Sequence, residues 1–320
     1  MKKTKFIALA MSLLILFSLS ACAKKADTAA SDGIQIVSTV FPSYDFARQI
    51  TAGTTASVVM LLQPGEEVHS FDPTSQDIIQ IQDSNLFLYV GGENDTWVES
   101  VLSSLDKSVH TFKMMDYVTL YEEELVEGMQ PEEEEAQAAE NTAEHEWDEH
   151  VWTAPVNAIA IVKAMTSELS AIDPDNASAY QSNAEAYVKQ LEALDQSFRD
   201  VVSAASRNTV VFADRFPARY FVEEFDLSYY AAFPGCSADT EPSAATIASL
   251  IDRVKLENIP FVFYIEMSNE RMADTICEAT GAQKLLFHTC HNVTKAEFEQ
   301  GATYLSLMQN NVLALQKALG

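Results

Sequence analysis

Short contiguous apolar runs alternate along this chain with segments whose apolar residues recur every three or four positions. IQIVSTV (34–40), ASVVMLL (56–62), NLFLYVGG (85–92) and SVHTFKM (108–114) have the length and β-branched or aromatic content of strands. Between them FPSYDFARQIT (41–51), residues 74–83 and ENDTWVESVLSSL (93–105) have helical spacing. The pattern then stops at a polar stretch. It resumes with a helix over 155–171 and, after Asp173-Pro174, a run in which Ala177, Tyr180, Ala184, Val188, Leu191, Leu194, Phe198, Val201 and Ala205 predict one continuous helix. The alternation restarts with strands TVVFAD (209–214), LSYYAAF (227–233), PFVFYIE (260–266) and QKLLFH (283–288). Helices FPARYFVEEF, PSAATIASLIDRVKLEN and SNERMADTICEATG lie between them, and a single helix over 296–318 closes the chain.

Strand–helix alternation on both sides of one long helix predicts an α/β fold: two similar α/β lobes with largely parallel sheets, bridged by that helix. The expected boundaries are 34–172 for the N-terminal lobe, 173–207 for the bridge and 208–320 for the C-terminal lobe. Residues 1–21 have the basic start and short apolar run of an export signal. Leu19-Ser20-Ala21-Cys22 resembles a lipoprotein cleavage box, so Cys22 is the expected lipidation site and 22–33 an anchor and linker. A plain signal peptide is the alternative.

Charge changes the picture at 120–149, an acidic loop inserted in the first lobe. Residues 122–149 hold thirteen Asp or Glu and no Lys or Arg, a density that stays solvated and cannot pack in a core. The whole chain carries −27, and loss of the three Lys in residues 1–21 would take it to −30. Such a surface argues against nucleic acid and for cations or basic partners. The acidic loop, which ends in DEHVWTAP, is suited to raising the local cation concentration or to passing ions through His145, a supporting residue or alternative ligand, to the cleft; an inert solvated loop is the bland reading.

His69, His150, Asp214, Glu266, His288 and His291 all fall in loops or at strand ends, where open α/β sheets place ligands. Imidazole with carboxylate suits Zn2+, although no local spacing such as HExxH occurs. Trp152, Phe71 and Phe41 either wall the cleft or belong to the core. Cys236 and Cys290 pair as a disulfide, remain free, or ligate a metal, and sequence alone leaves these open.

The segments FPSYDFARQI, LLQPGEEVHSFDP, LFLYVGGENDTWVE, DEHVWTAP and FDLSYYAAFPGCSADTEPSAATIASLIDRVKLENIPFVFYIE resemble the cluster A-I solute-binding proteins of metal ABC importers, over nearly all of 34–318. The charged loop ahead of His150 is similar to the zinc branch. The resemblance implies an extracytoplasmic lipoprotein receptor and no enzyme. It would be a monomer on the cell membrane that hands a divalent metal to an ABC permease. His69 and His150 match the first two metal ligands of the family. The second lobe departs from the family pattern: Asp214 stands where a histidine is usual, and His291 where an acid is usual. The expected set is therefore His69, His150, Asp214 and His291. Glu266 is a supporting residue, with Glu266 or His288 as substitute should Arg215 hold Asp214 in a salt bridge. Three imidazoles favour zinc over manganese or iron. A zinc hydrolase with Glu266 as base, and an adhesin or sensor with an incidental metal site, are the readings from other classes.

Overall fold

The computed structural model describes residues 33–67, 71–105, 108–129, 146–235 and 242–320. The signal segment, Cys22, His69, His145, Cys236 and most of the acidic loop lie outside them.

The first lobe has strands β1 (Gln35–Ser38), β2 (Ser57–Met60), β3 (Leu86–Tyr89) and β4 (Thr111–Lys113), all parallel in the order β2-β1-β3-β4. Helices α1 (Phe41–Thr51), α2 (Ser75–Asp83) and α3 (Thr96–Ser104) cross between them. Local chemistry sets their starts: Pro42 occupies the first turn of α1, and Thr74 with Asp77 forms a reciprocal capping box at α2.

Helix α4 (Pro155–Ile172) leads into α5 (Ala177–Ser203), whose 27 residues span about 40 Å. Tyr180, Ala184, Tyr187, Val188, Leu191, Leu194 and Phe198 form its buried stripe, nearly the periodicity read from the sequence. The second lobe repeats the design with β5 (Thr209–Phe216), β6 (Ser228–Pro234), β7 (Phe261–Tyr264) and β8 (Gln283–Leu286), parallel in the order β6-β5-β7-β8. Its helices are α6 (Arg219–Phe225), α7 (Ala244–Leu256), α8 (Arg271–Thr280), α9 (Lys295–Glu299) and α10 (Tyr304–Leu319). Helix α5 packs on α1 and α4 on one side and on α6 and α10 on the other.

The two sheets share one core. Ile36, Phe41 and Leu88 of the first lobe and Phe212, Phe263 and Phe287 of the second belong to a single buried cluster with α4, α5 and α10. Smaller clusters, around Phe87 with Val98 and around Val262 with Ile276, cover the outer faces.

Two elements differ from the sequence reading. The closing helix is two helices, because Gly301 takes a left-handed φ of 75° and Thr303 with Ser306 starts a new capping box. Strand β5 runs on to Phe216, past a register shift between Phe212 and Arg215 that brackets Asp214.

Candidate metal centre

The two ends of the acidic loop are clasped. Glu122 and Trp147 form an antiparallel bridge, the N–H of Glu123 donates to the Glu146 carbonyl at 2.9 Å, and that of Asp148 to the Tyr121 carbonyl at 3.0 Å. The clasp delivers Asp148, Glu149 and His150 into the protein, all buried. A single 3-10 turn, Val151–Thr153, and Pro155 at the first turn of α4 then fix the exit.

Asp148 sets the state of His150. Its Oδ1 accepts from the His150 backbone N–H at 2.7 Å and lies 3.1 Å from Nδ1. A carboxylate there holds the proton on Nδ1, which makes Nε2 the basic nitrogen, an arrangement usual among metal-ligating histidines. Tyr220 Oη in turn donates to the Asp148 carbonyl at 2.6 Å, so a second-lobe helix braces the corner. Burial pulls the His150 pKa down, but Asp148 and Glu149 outweigh it and the net direction is up.

His291 comes from the turn after β8. Its backbone N–H donates to Thr289 Oγ1 at 3.1 Å, and its carbonyl accepts from the Phe41 N–H at 3.3 Å. The imidazole stands 5.0 Å from that of His150, at 88°, and 4.8 Å from the Trp152 ring. Trp152 Nε1 donates to the Thr289 carbonyl at 2.8 Å, tying the two lobes beneath the imidazoles. Trp152 is core that packs against the His291 ring, Phe71 lines a cavity beside His291, and Phe41 is core.

The loop before His69 is anchored to the same turn. Asn292 Nδ2 donates to the carbonyls of Gln63 and Glu66 at 2.8 and 3.0 Å, and the Gly65 N–H to the Val293 carbonyl at 2.8 Å. Arg215 reaches across from the second lobe to Glu67 at 3.2 Å. A cavity of about 20 Å3, room for one water-sized sphere, is lined by Glu67, His150, Arg215, Glu266, Thr289 and His291 among others.

The remaining expected residues sit differently. Glu266 accepts from the Thr289 N–H at 2.7 Å and from the Thr289 hydroxyl, so it shapes the turn that carries His291. His288 is built into that turn: its Nδ1 accepts the Cys290 N–H at 3.0 Å, its Nε2 faces Glu297 at 3.6 Å, and Asn311 bonds both its backbone N–H and its carbonyl. This bonding explains why His288 does not join the His150–His291 pair. Asp214 accepts the Arg215 N–H at 2.9 Å and is surrounded by Ser268 and the Ile265 backbone. Burial raises its pKa. Cys290 is a free, fully buried thiol, and its expected disulfide partner, Cys236, lies outside the described residues.

Among the described residues, one group of metal-competent side chains converges: Glu149, His150 and His291, with one ligand atom from each within 4.8 Å of the others. Sequence reasoning found the two histidines and missed Glu149 and Asp148. Both stand in the quoted DEHVWTAP motif, where they read as the end of the solvated acidic run.

Sequence and structure comparisons place the chain among zinc-binding relatives. The zinc-binding lipoprotein AdcA of Streptococcus pneumoniae serotype 4 is 32% identical over 315 residues, covering 98% of this chain but 61% of that protein. This chain thus spans about three fifths of the AdcA relatives it matches. The high-affinity zinc uptake system protein ZnuA of Bacillus subtilis is 30% identical over 318 residues, covering 98% of this chain and 96% of that one. The crystal structure of the Zn(II)-bound ZnuA-like domain of Streptococcus pneumoniae AdcA superposes with a TM-score of 0.73 at 30% identity, over 90% of this chain and 99% of that one. The pattern of the ZnuA family, zinc-uptake complex component A, periplasmic, matches residues 36–318, and the chain belongs to that family.

Proposed function

We propose that this protein is an extracytoplasmic receptor that captures zinc between its lobes and delivers it to an ABC permease in the membrane. The observation that carries the reading is the pair of buried imidazoles, His150 from the first lobe and His291 from the second, 5.0 Å apart with Asp148 fixing the tautomer of His150. Imidazoles in a buried, acid-flanked cleft suit zinc better than manganese, which prefers oxygen ligands. His69 is the third proposed imidazole: Gln63, Gly65 and Glu66 ahead of it are bonded to the turn that holds His291. Glu266 and Thr289 support that turn.

The ion is cargo, so the protein binds and releases it without chemistry. Cys22 is the proposed lipid attachment that keeps the receptor at the membrane surface, as a monomer beside its permease. No described helix is long and apolar enough to cross a membrane.

Zinc competition against a chromophoric chelator tests the site. The wild-type protein should take one zinc, and His150→Ala and His291→Ala should each lose at least tenfold in affinity. Unchanged affinity in either variant, or tighter manganese than zinc relative to an aqueous chelator of the same donor set, would overturn the reading.

A further inference from the structure

Glu149 is the charged side chain of the centre whose setting is least explained by folding alone. It is 1% exposed, and no Lys or Arg among the described residues pairs with it. A buried carboxylate with no Lys or Arg partner is costly, and the fold nevertheless builds a cradle for it. The Asn94 N–H donates to Oε2 at 3.1 Å, and the Asn94 side-chain amide donates to Oε1. Gly92 supplies the space: a Cβ there would lie 2.3 Å from both Cβ and Oε2 of Glu149. Two N–H donors leave a carboxylate with lone pairs to spare.

The placement is directional. Glu149 and His291 line one small cavity with Thr39, Asn94 and Asp95, and His150 and His291 line the other. His291 is common to both, and one ligand atom from each of Glu149, His150 and His291 lies within 4.8 Å of the others. A tight turn centred on His150 separates the two residues, with the Val151 N–H bonding back to the Glu149 carbonyl at 2.8 Å.

We infer that Glu149 is a direct ligand of the captured cation, supplying from the first lobe the carboxylate that completes the set with His150 and His291. This rests on the zinc-receptor reading above. It leaves Asp214, at the register shift of β5, as a structural acid that orders the Arg215 and Ser268 region. A carboxylate adjoining a histidine on one rigid corner means that the first lobe alone offers a two-donor grip, and that His291 closes it.

The test is zinc affinity by chelator competition together with the visible spectrum of the Co2+-substituted protein, for Glu149→Gln, Asp214→Asn and His291→Ala. Glu149→Gln keeps an oxygen acceptor for Asn94 and removes the charge. It should weaken zinc at least tenfold and alter the Co2+ bands, whereas Asp214→Asn should leave both near wild type. Gly92→Ala, which keeps the charge but displaces it, should weaken zinc likewise and serves if Glu149→Gln does not fold. Wild-type affinity and spectrum in Glu149→Gln, or in a folded Gly92→Ala, would overturn the inference. So would a loss in Asp214→Asn larger than that in Glu149→Gln. Full zinc affinity in His291→Ala would instead sink the receptor site itself.

Discussion

At the scale of single residues, the centre is governed by acids that flank imidazoles. Asp148 fixes which nitrogen of His150 is basic, and Asp148→Asn should lower zinc affinity about 10–100-fold in a chelator titration while leaving the fold intact. The same flanking acids hold the His150 pKa above its ordinary 6.5, with burial opposing them. Protons therefore compete with the metal from a higher pH than at an ordinary histidine. Zinc affinity measured across the pH range should begin to fall before pH 6.5 is reached from above. Asp95 shows the opposite cost. Burial pushes its carboxyl up to about 7, although it accepts the Val90 and Gly91 N–H groups at 2.7 and 2.9 Å. The folded state thus holds a proton that the unfolded chain has released above the usual carboxylate pKa of 3.8, and stability declines as pH rises from there to about 7. Asp95→Asn removes that decline, so thermal melts of the metal-free protein should show a larger gain at pH 8 than at pH 5. His150 and His291 were legible in the sequence because each lies in a polar segment beside an apolar run. Glu149 and Asp148 were not, because their burial depends on a clasp between residues 121–123 and 146–148 that no local pattern announces.

At the scale of elements, periodicity reported nearly everything that packing decides. The stripe of α5 and the eight apolar strand runs were readable because burial follows the helical and extended periods. What escaped was decided by backbone and side-chain hydrogen bonds. The apolar spacing of Phe298, Tyr304, Leu307 and Leu315 runs through the break at Gly301, so only the second capping box separates α9 from α10. His288 looked like a ligand because it follows a strand, yet Asn311 of α10 and the Cys290 N–H hold it in place. The corner beneath the site is equally specific: Trp152 bonds Thr289 of the second lobe, and Tyr304 Oη of α10 donates to the Trp152 carbonyl at 2.7 Å. Trp152→Phe leaves the buried Thr289 carbonyl without that donor. It should cost about 1–3 kcal/mol in denaturant unfolding and shift the zinc affinity through His291.

At the scale of the whole molecule, the continuous core and the strut α5 leave the lobes little freedom to part. Zinc binding should therefore change the radius of gyration very little in solution scattering, while stabilising the fold. At a free zinc concentration 100 times the dissociation constant the gain is about 2.7 kcal/mol, visible as a raised melting temperature that a chelator reverses. The division of the centre between β-sheets far apart in the chain has a temporal consequence. Synthesis proceeds from the N-terminus, so the first sheet and Asp148, Glu149 and His150 emerge while the turn bearing His291 is still unmade. Until that turn arrives, Trp152 has no Thr289 to bond, Asp148 has no Tyr220 to brace it, and the loop at 63–66 has no Asn292 to hold it. An unfinished chain thus offers at most the two donors of the first lobe, and the grip closes only when the turn that carries His291 arrives.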